Sequence, residues 1–172
     1  MTQLMHPDAI RGLFSQAMSD MYRTEVPQYG TLIELVRDVN AATIAADPTL
    51  SSRLESAGDI DRLDVERHGA IRLGTPQELL AIRRMFAVMG MHPVGYYDLS
   101  VAGIPVHSTA FRPVEAASLR RNPFRVFTSL LRLDLIEDRA LAARAQEILA
   151  QRQIVTPRAL ALMDQAEANG GL

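Results

Sequence analysis

Val65-Glu66-Arg67-His68-Gly69-Ala70-Ile71-Arg72-Leu73-Gly74-Thr75-Pro76-Gln77-Glu78 changes the period of the chain within a few residues. Residues 65–73 read as a strand, because successive side chains alternate between faces. Glu66, His68, Ala70 and Arg72 share one face; Val65, Arg67, Gly69, Ile71 and Leu73 share the other. Gly74 ends the strand. Thr75 is then a helix N-cap, with Pro76 at N1 and Glu78 at N3. A strand running straight into a capped helix is the start of a mixed α and β module.

Downstream, Leu79, Ile82, Phe86 and Met89 give that helix a buried stripe, and Gly90 closes it. The Met-rich run Met85–Met91 reads as core filling. Strands are expected over 92–99, 104–113 and 124–136, the last after the Asn122-Pro123 turn. Two closing helices begin near Asp138 and at Thr156-Pro157. The first of them should bury Leu141, Ala145, Ile148 and Leu149. Upstream, Ile10, Leu13, Phe14, Ala17, Met18, Met21 and Tyr22 outline the inner face of a first helix. A second should start at a capping box, Thr31 with Glu34, and bury Leu32, Leu35, Val36 and Val39. Residues 49–62 read as a connector with a helical turn.

The expected architecture is therefore α+β: a β-α-β-β-β half-barrel flanked by N- and C-terminal helices. Its divisions are a helical segment at 1–63, the module at 64–136 and closing helices at 137–172. A half-barrel leaves a concave sheet face that something must cover. Self-association through that open sheet is one way to cover it.

Composition narrows the function. The 172 residues carry a net charge of −2, with 48% hydrophobic and 22% charged residues. That is enough chain to bury roughly 70% of its unfolded surface. No basic stripe suggests a nucleic-acid partner. Without cysteine, thiolate catalysis and Cys-ligated zinc are excluded. No stretch approaches the ~20 apolar residues of a membrane span, and the chain is expected in the cytoplasm.

The face of Glu66, His68 and Arg72 either meets solvent or lines a polar cavity; spacing alone leaves both open. Imidazole ligates divalent metals, and Arg grips carboxylates bidentately. Four residues of strand separate His68 from Arg72 by about 13 Å. His107 is expected to be a hydrogen-bonded structural residue, and His92 and His6 to lie in a loop and a tail. Tyr96, Tyr97 and Asp98 offer polar groups but suit packing, and Arg120, Arg121 and Arg125 suit a solvated turn.

Four segments carry a resemblance: residues 25–32 (EVPQYGTL), 65–72 (VERHGAIR), 103–113 (GIPVHSTAFRP) and 122–131 (NPFRVFTSLL). They closely resemble the bacterial 2-oxoadipate dioxygenase/decarboxylases, also called 2-hydroxyglutarate synthases, and the similarity runs from about Ala9 to Gly171. The resemblance implies a fold related to the vicinal oxygen chelate superfamily. It implies conversion of 2-oxoadipate and O2 to 2-hydroxyglutarate and CO2 in lysine breakdown. It implies Fe(II) held by two His and one carboxylate, with His68 as the first ligand and Arg72 on the substrate acid. The other two ligands match no residue of this chain, so it reads as the amino-terminal part of a longer enzyme, inactive alone. A related oxygenase for another 2-oxo acid and a noncatalytic assembly module remain alternatives.

Overall fold

The computed structural model describes residues 4–60, 63 and 68–170. The chain divides into two compact units, Met1–Leu13 with Arg67–Leu172, and Phe14–Glu66. Helix α1 (Pro7–Glu25) begins in the first and continues into the second, which also holds α2 (Pro27–Ala46) and α3 (Pro48–Ala57). The remaining elements all belong to the first unit. They are β1 (His68–Leu73), α4 (Pro76–Val88), β2 (His92–Asp98), β3 (Val106–Arg112), α5 (Ala116–Arg121), β4 (Arg125–Leu131), α6 (Arg139–Ala150) and α7 (Pro157–Asn169).

The β-α-β-β-β order is present, with a short helix, α5, between β3 and β4. The sheet runs β1-β4-β3-β2. β1 pairs with β4 in parallel, and the other two pairings are antiparallel. Residues 64–67, including Glu66 and the expected start of β1, lie outside the described residues.

Thr75 caps α4 as its residue type demands: its Oγ1 accepts from the Glu78 N–H at 3.2 Å. α4 covers one face of the sheet. Ile82, Phe86 and Met89 are buried, together with Leu73, Phe111, Val126 and Leu130. The Phe86 and Phe111 rings meet edge-on at 5.2 Å, a geometry that aligns ring edge with ring face. Met91 completes this core. Asp138 and Thr156 cap α6 and α7 with their side chains.

Several expected faces are met only in part: on α1 Met18 is buried and Ile10, Phe14 and Tyr22 are half-buried. The buried residues of α1 are Asp8, Arg11, Ser15, Met18 and Ser19, whereas Leu13 is 65% exposed and Met21 is exposed too. At the start of α1, Arg11 is fully buried. It donates to the Met89 carbonyl at 2.8 Å and to the Asn122 and Ser118 carbonyls, each at 3.2 Å. It also pairs with Asp8 at 2.6 Å. Met89 and Asn122 are the C-cap residues of α4 and α5, where helices leave acceptors unsatisfied, so the guanidinium serves as a shared cap. Arg121 pairs with the other Asp8 oxygen at 2.9 Å while its side chain stays largely solvated, as expected.

α2 starts four residues before the expected capping box, because Pro27 takes N1. Thr31 and Glu34 thus lie inside the helix. No α2 residue is buried, and Leu32, Leu35, Val36 and Val39 are exposed. The stretch 49–62 contains a true helix, α3, capped by Asp47 through the Thr49 and Leu50 amides. β4 is shorter than expected, since a 3-10 turn at Leu133–Leu135 ends it. On α6, Leu141 and Ile148 are exposed, and Leu149 is the residue turned toward the sheet.

Candidate functional site

Residues paired across neighbouring strands point to the same side of a sheet. His68, Ala70 and Arg72 pair with Arg125, Phe127 and Ser129 of β4. Phe127 and Ser129 pair with Ala110 and Ser108 of β3, and Ser108 with Tyr97 of β2. These residues make the face opposite α4. His68 and Arg72 thus share the open face, as the alternation of β1 requires. Both are exposed, whereas Gly69 and Leu73 on the other side are buried.

His68 has a neighbour that the sequence did not suggest. Nη2 of Arg125 stands 3.2 Å from Nε2 of His68. A guanidinium can only donate, so the contact is a hydrogen bond in the tautomer whose Nε2 accepts, and the Arg125 N–H then takes that acceptor. The Arg125 guanidinium also lies 5.3 Å over the Phe127 ring. It is therefore part of the face and no solvated turn residue.

At the other end of β1, Arg72 lines a cavity of about 420 Å³. Its walls are largely apolar, with Val106 and Leu131 from the sheet and Leu149 from α6. Ser129 and Arg152 add polar groups. Leu149 approaches so closely that a Cβ on Gly74 would fall 2.1 Å from its Cδ2. The missing side chain at Gly74 is what lets α6 wall this cavity. An apolar cleft with a few placed polar groups suits a small acid with an aliphatic chain.

His107 belongs elsewhere. It pairs in register with Leu130 and Asp98, so it lies on the face away from His68. Its Nδ1 lies 2.9 Å from the Tyr96 hydroxyl and 3.4 Å from Nη1 of Arg132. It is the hydrogen-bonded residue expected of it. Tyr96 is 60% exposed and serves as that partner instead of packing inside. His92 opens β2 and is exposed, and His6 lies beside Asp8 just before α1.

Iron in a two-His, one-carboxylate centre needs three protein ligands. Among the described residues, no group of three or more His, Cys, Asp or Glu could hold a metal. The described strand residues of the open face offer two imidazoles, His68 on edge strand β1 and His92 on the opposite edge strand β2, with β4 and β3 between them, and no carboxylate. They do not fit a complete centre; they fit one ligand of it.

Comparisons with known proteins identify the family. The family model described as 2-oxoadipate dioxygenase/decarboxylase matches residues 14–172. The Escherichia coli 2-oxoadipate dioxygenase/decarboxylase is 63% identical over 164 residues, which is 95% of this chain and 37% of that protein. The Pseudomonas putida protein of that name is 61% identical over 166 residues, 96% of this chain and 36% of its own length. The crystal structure of the Pseudomonas putida hydroxyglutarate synthase superposes over 100% of this chain and 40% of its own, with TM-score 0.94 and 59% identity. Its complex with 2-oxoadipate gives the same TM-score and identity. The chain thus spans well under half the length of these relatives, and over that span it belongs to the 2-oxoadipate dioxygenase/decarboxylase family.

Proposed function

We propose that these residues form the amino-terminal part of an Fe(II)-dependent enzyme that converts 2-oxoadipate and O2 to 2-hydroxyglutarate and CO2. The observation that carries the reading is the placement of His68 and Arg72 on one open sheet face, with Arg72 lining the 420 Å³ cavity. The balance is complete: both oxygen atoms of O2 end in the products, and one carbon leaves as CO2. Ferrous iron, when bound, supplies the redox chemistry on O2 and the 2-oxo acid.

The chain's own residues bind and orient. Arg72 takes a substrate carboxylate as a bidentate, charge-assisted pair. Val106, Leu131 and Leu149 pack the methylene chain and exclude water, and Ser129 offers a hydroxyl. His68 contributes one metal ligand through Nε2. The second His and the carboxylate come from the part of the protein beyond these 172 residues. A cytoplasmic enzyme of lysine breakdown is consistent with this substrate. Among the described residues no helix is long and apolar enough to cross a membrane.

The test is oxygen uptake and CO2 release with 2-oxoadipate and ferrous iron, for the full-length protein and for residues 1–172 alone. Turnover by the first and none by the second is expected. Turnover by the second would require a complete site within this chain. No turnover of 2-oxoadipate by the full-length protein, with turnover of another 2-oxo acid, would change the substrate.

A further inference from the structure

Arg72 is the penultimate residue of β1. The ladder to β4 ends one residue later, at Leu73 with Leu130. The backbone that aims Arg72 therefore leaves the sheet where its side chain must be held. A buried carboxylate takes over there. Oε2 of Glu78, on the first turn of α4, accepts from the Gly74 N–H at 2.6 Å. Arg152, just after α6, grips the same carboxylate with both arms. Its Nε reaches Oε1 at 2.8 Å and its Nη2 reaches Oε2 at 2.6 Å. Nη2 also lies 3.3 Å from the Arg72 carbonyl, to which it donates. The closed path Arg72 carbonyl, Arg152, Glu78, Gly74 amide brackets the strand end on both sides.

We propose that the Glu78–Arg152 pair is a positioning device for Arg72: it fixes the backbone at the end of β1, and so fixes where the Arg72 guanidinium meets a substrate carboxylate. The inference rests on the reading of Arg72 as the acid-binding group. Arg152 lines the same cavity, but its charge is already matched. Nε and Nη2 are committed to Glu78, whose side chain is only 8% exposed. A group so engaged orients its neighbour instead of taking the substrate itself. Pairing two fork-shaped groups in parallel is what gives this bond its direction. The pair also ties α4 and the end of α6 to one strand residue.

The experiment uses the full-length protein with Arg152→Met, Arg152→Lys, Glu78→Gln, Arg72→Ala and the double variant Arg72→Ala/Arg152→Met. KM and kcat for 2-oxoadipate are measured beside thermal melting. Arg152→Met should raise KM about tenfold with a smaller effect on kcat, and Arg152→Lys should restore part of the loss. Added to Arg72→Ala, it should raise KM by less than about twofold, since no guanidinium remains to be aimed. Additive effects in the double variant would overturn the proposal. So would a lowered melting temperature with KM unchanged. If Arg72→Ala itself leaves KM unchanged, the reading of Arg72 fails, and the pair with it; a KM raised by Arg72→Ala but not by Arg152→Met sinks the pair alone. Should Arg152→Met not fold, Arg152→Lys and Glu78→Gln decide by the same KM criterion.

Discussion

His68 and His107 stand on opposite faces of one sheet. His68 is in register with Arg125 and His107 with Leu130, an odd number of residues apart along β4. A metal held by His68 on the open face cannot be reached by His107. In the full-length protein, His68→Ala should abolish iron binding, read as metal content after dialysis. His107→Ala should leave iron bound and instead cost about 1 kcal/mol of stability through its lost bond to Tyr96. Iron lost equally from both variants would contradict the two-face arrangement.

Arg72 gives the second prediction. Arg72→Ala should keep iron and lose about 2–5 kcal/mol of binding to the acid, or roughly 30- to several-thousand-fold in kcat/KM. Arg72→Lys should recover only part, because an ammonium cannot form the planar fork. A solvated residue with no role would cost under about 0.5 kcal/mol. Steady-state kinetics beside iron content separate these outcomes.

Arg11 tests the fold. Replacing it by Met would strip the Met89 and Asn122 carbonyls of the Arg11 donor, leave Ser118 with only the Asn122 amide, and leave Asp8 with Arg121. Breaking a buried pair of this kind costs about 3–5 kcal/mol. For a domain of this size that is about 6–20 °C in Tm. A loss under about 2 °C would show that the carbonyls find other donors.

The strand β1 was legible because three signals agree within fourteen residues: alternation, the Gly74 stop and the Thr75-Pro76 start. The site face followed from the same alternation. What was not legible depends on partners distant in sequence. Arg11 reaches carbonyls 78 and 111 residues away, so the first turns of α1 bury Asp8 and Arg11 where its apolar stripe gave no sign of them. Arg125 meets His68 across 57 residues, which only the parallel β1–β4 pairing brings together. Glu78 was readable as part of a cap, yet its partner Arg152 lies 74 residues on. The α2 stripe has the right period, but periodicity says that a face is apolar, not what covers it.

Gly74→Ala probes the wall of the cavity. Its new methyl would meet the Leu149 side chain, with Cδ2 at 2.1 Å, so that side chain must shift. Overpacking of this kind costs about 1–3 kcal/mol. Because Gly74 and Leu149 both line the cavity with Arg72, KM for 2-oxoadipate should rise as well. A compensating Leu149→Ala should restore room and relieve most of the stability loss. If the single variant melts like the parent, the close approach of α6 is not a packing constraint.

The Glu78–Arg152 pair should also set an acid limit on stability. The Arg152 hydrogen bonds hold the Glu78 carboxyl below its ordinary value of 4.5; burial opposes them, and the Gly74 amide assists. A carboxyl with a lowered folded value favours the folded state while it is ionised in both states. That contribution is therefore fully present well above pH 4.5. It fades as pH falls below that value, and it is gone once pH has passed beneath the lowered folded value. Glu78→Gln removes the titration. The stability difference between parent and variant should thus be constant from pH 8 to about 6 and shrink steadily below about 5. Chemical denaturation of both proteins across that range measures it. A difference that grows on acidification would have the wrong sign, and would mean that Glu78 is held protonated rather than paired.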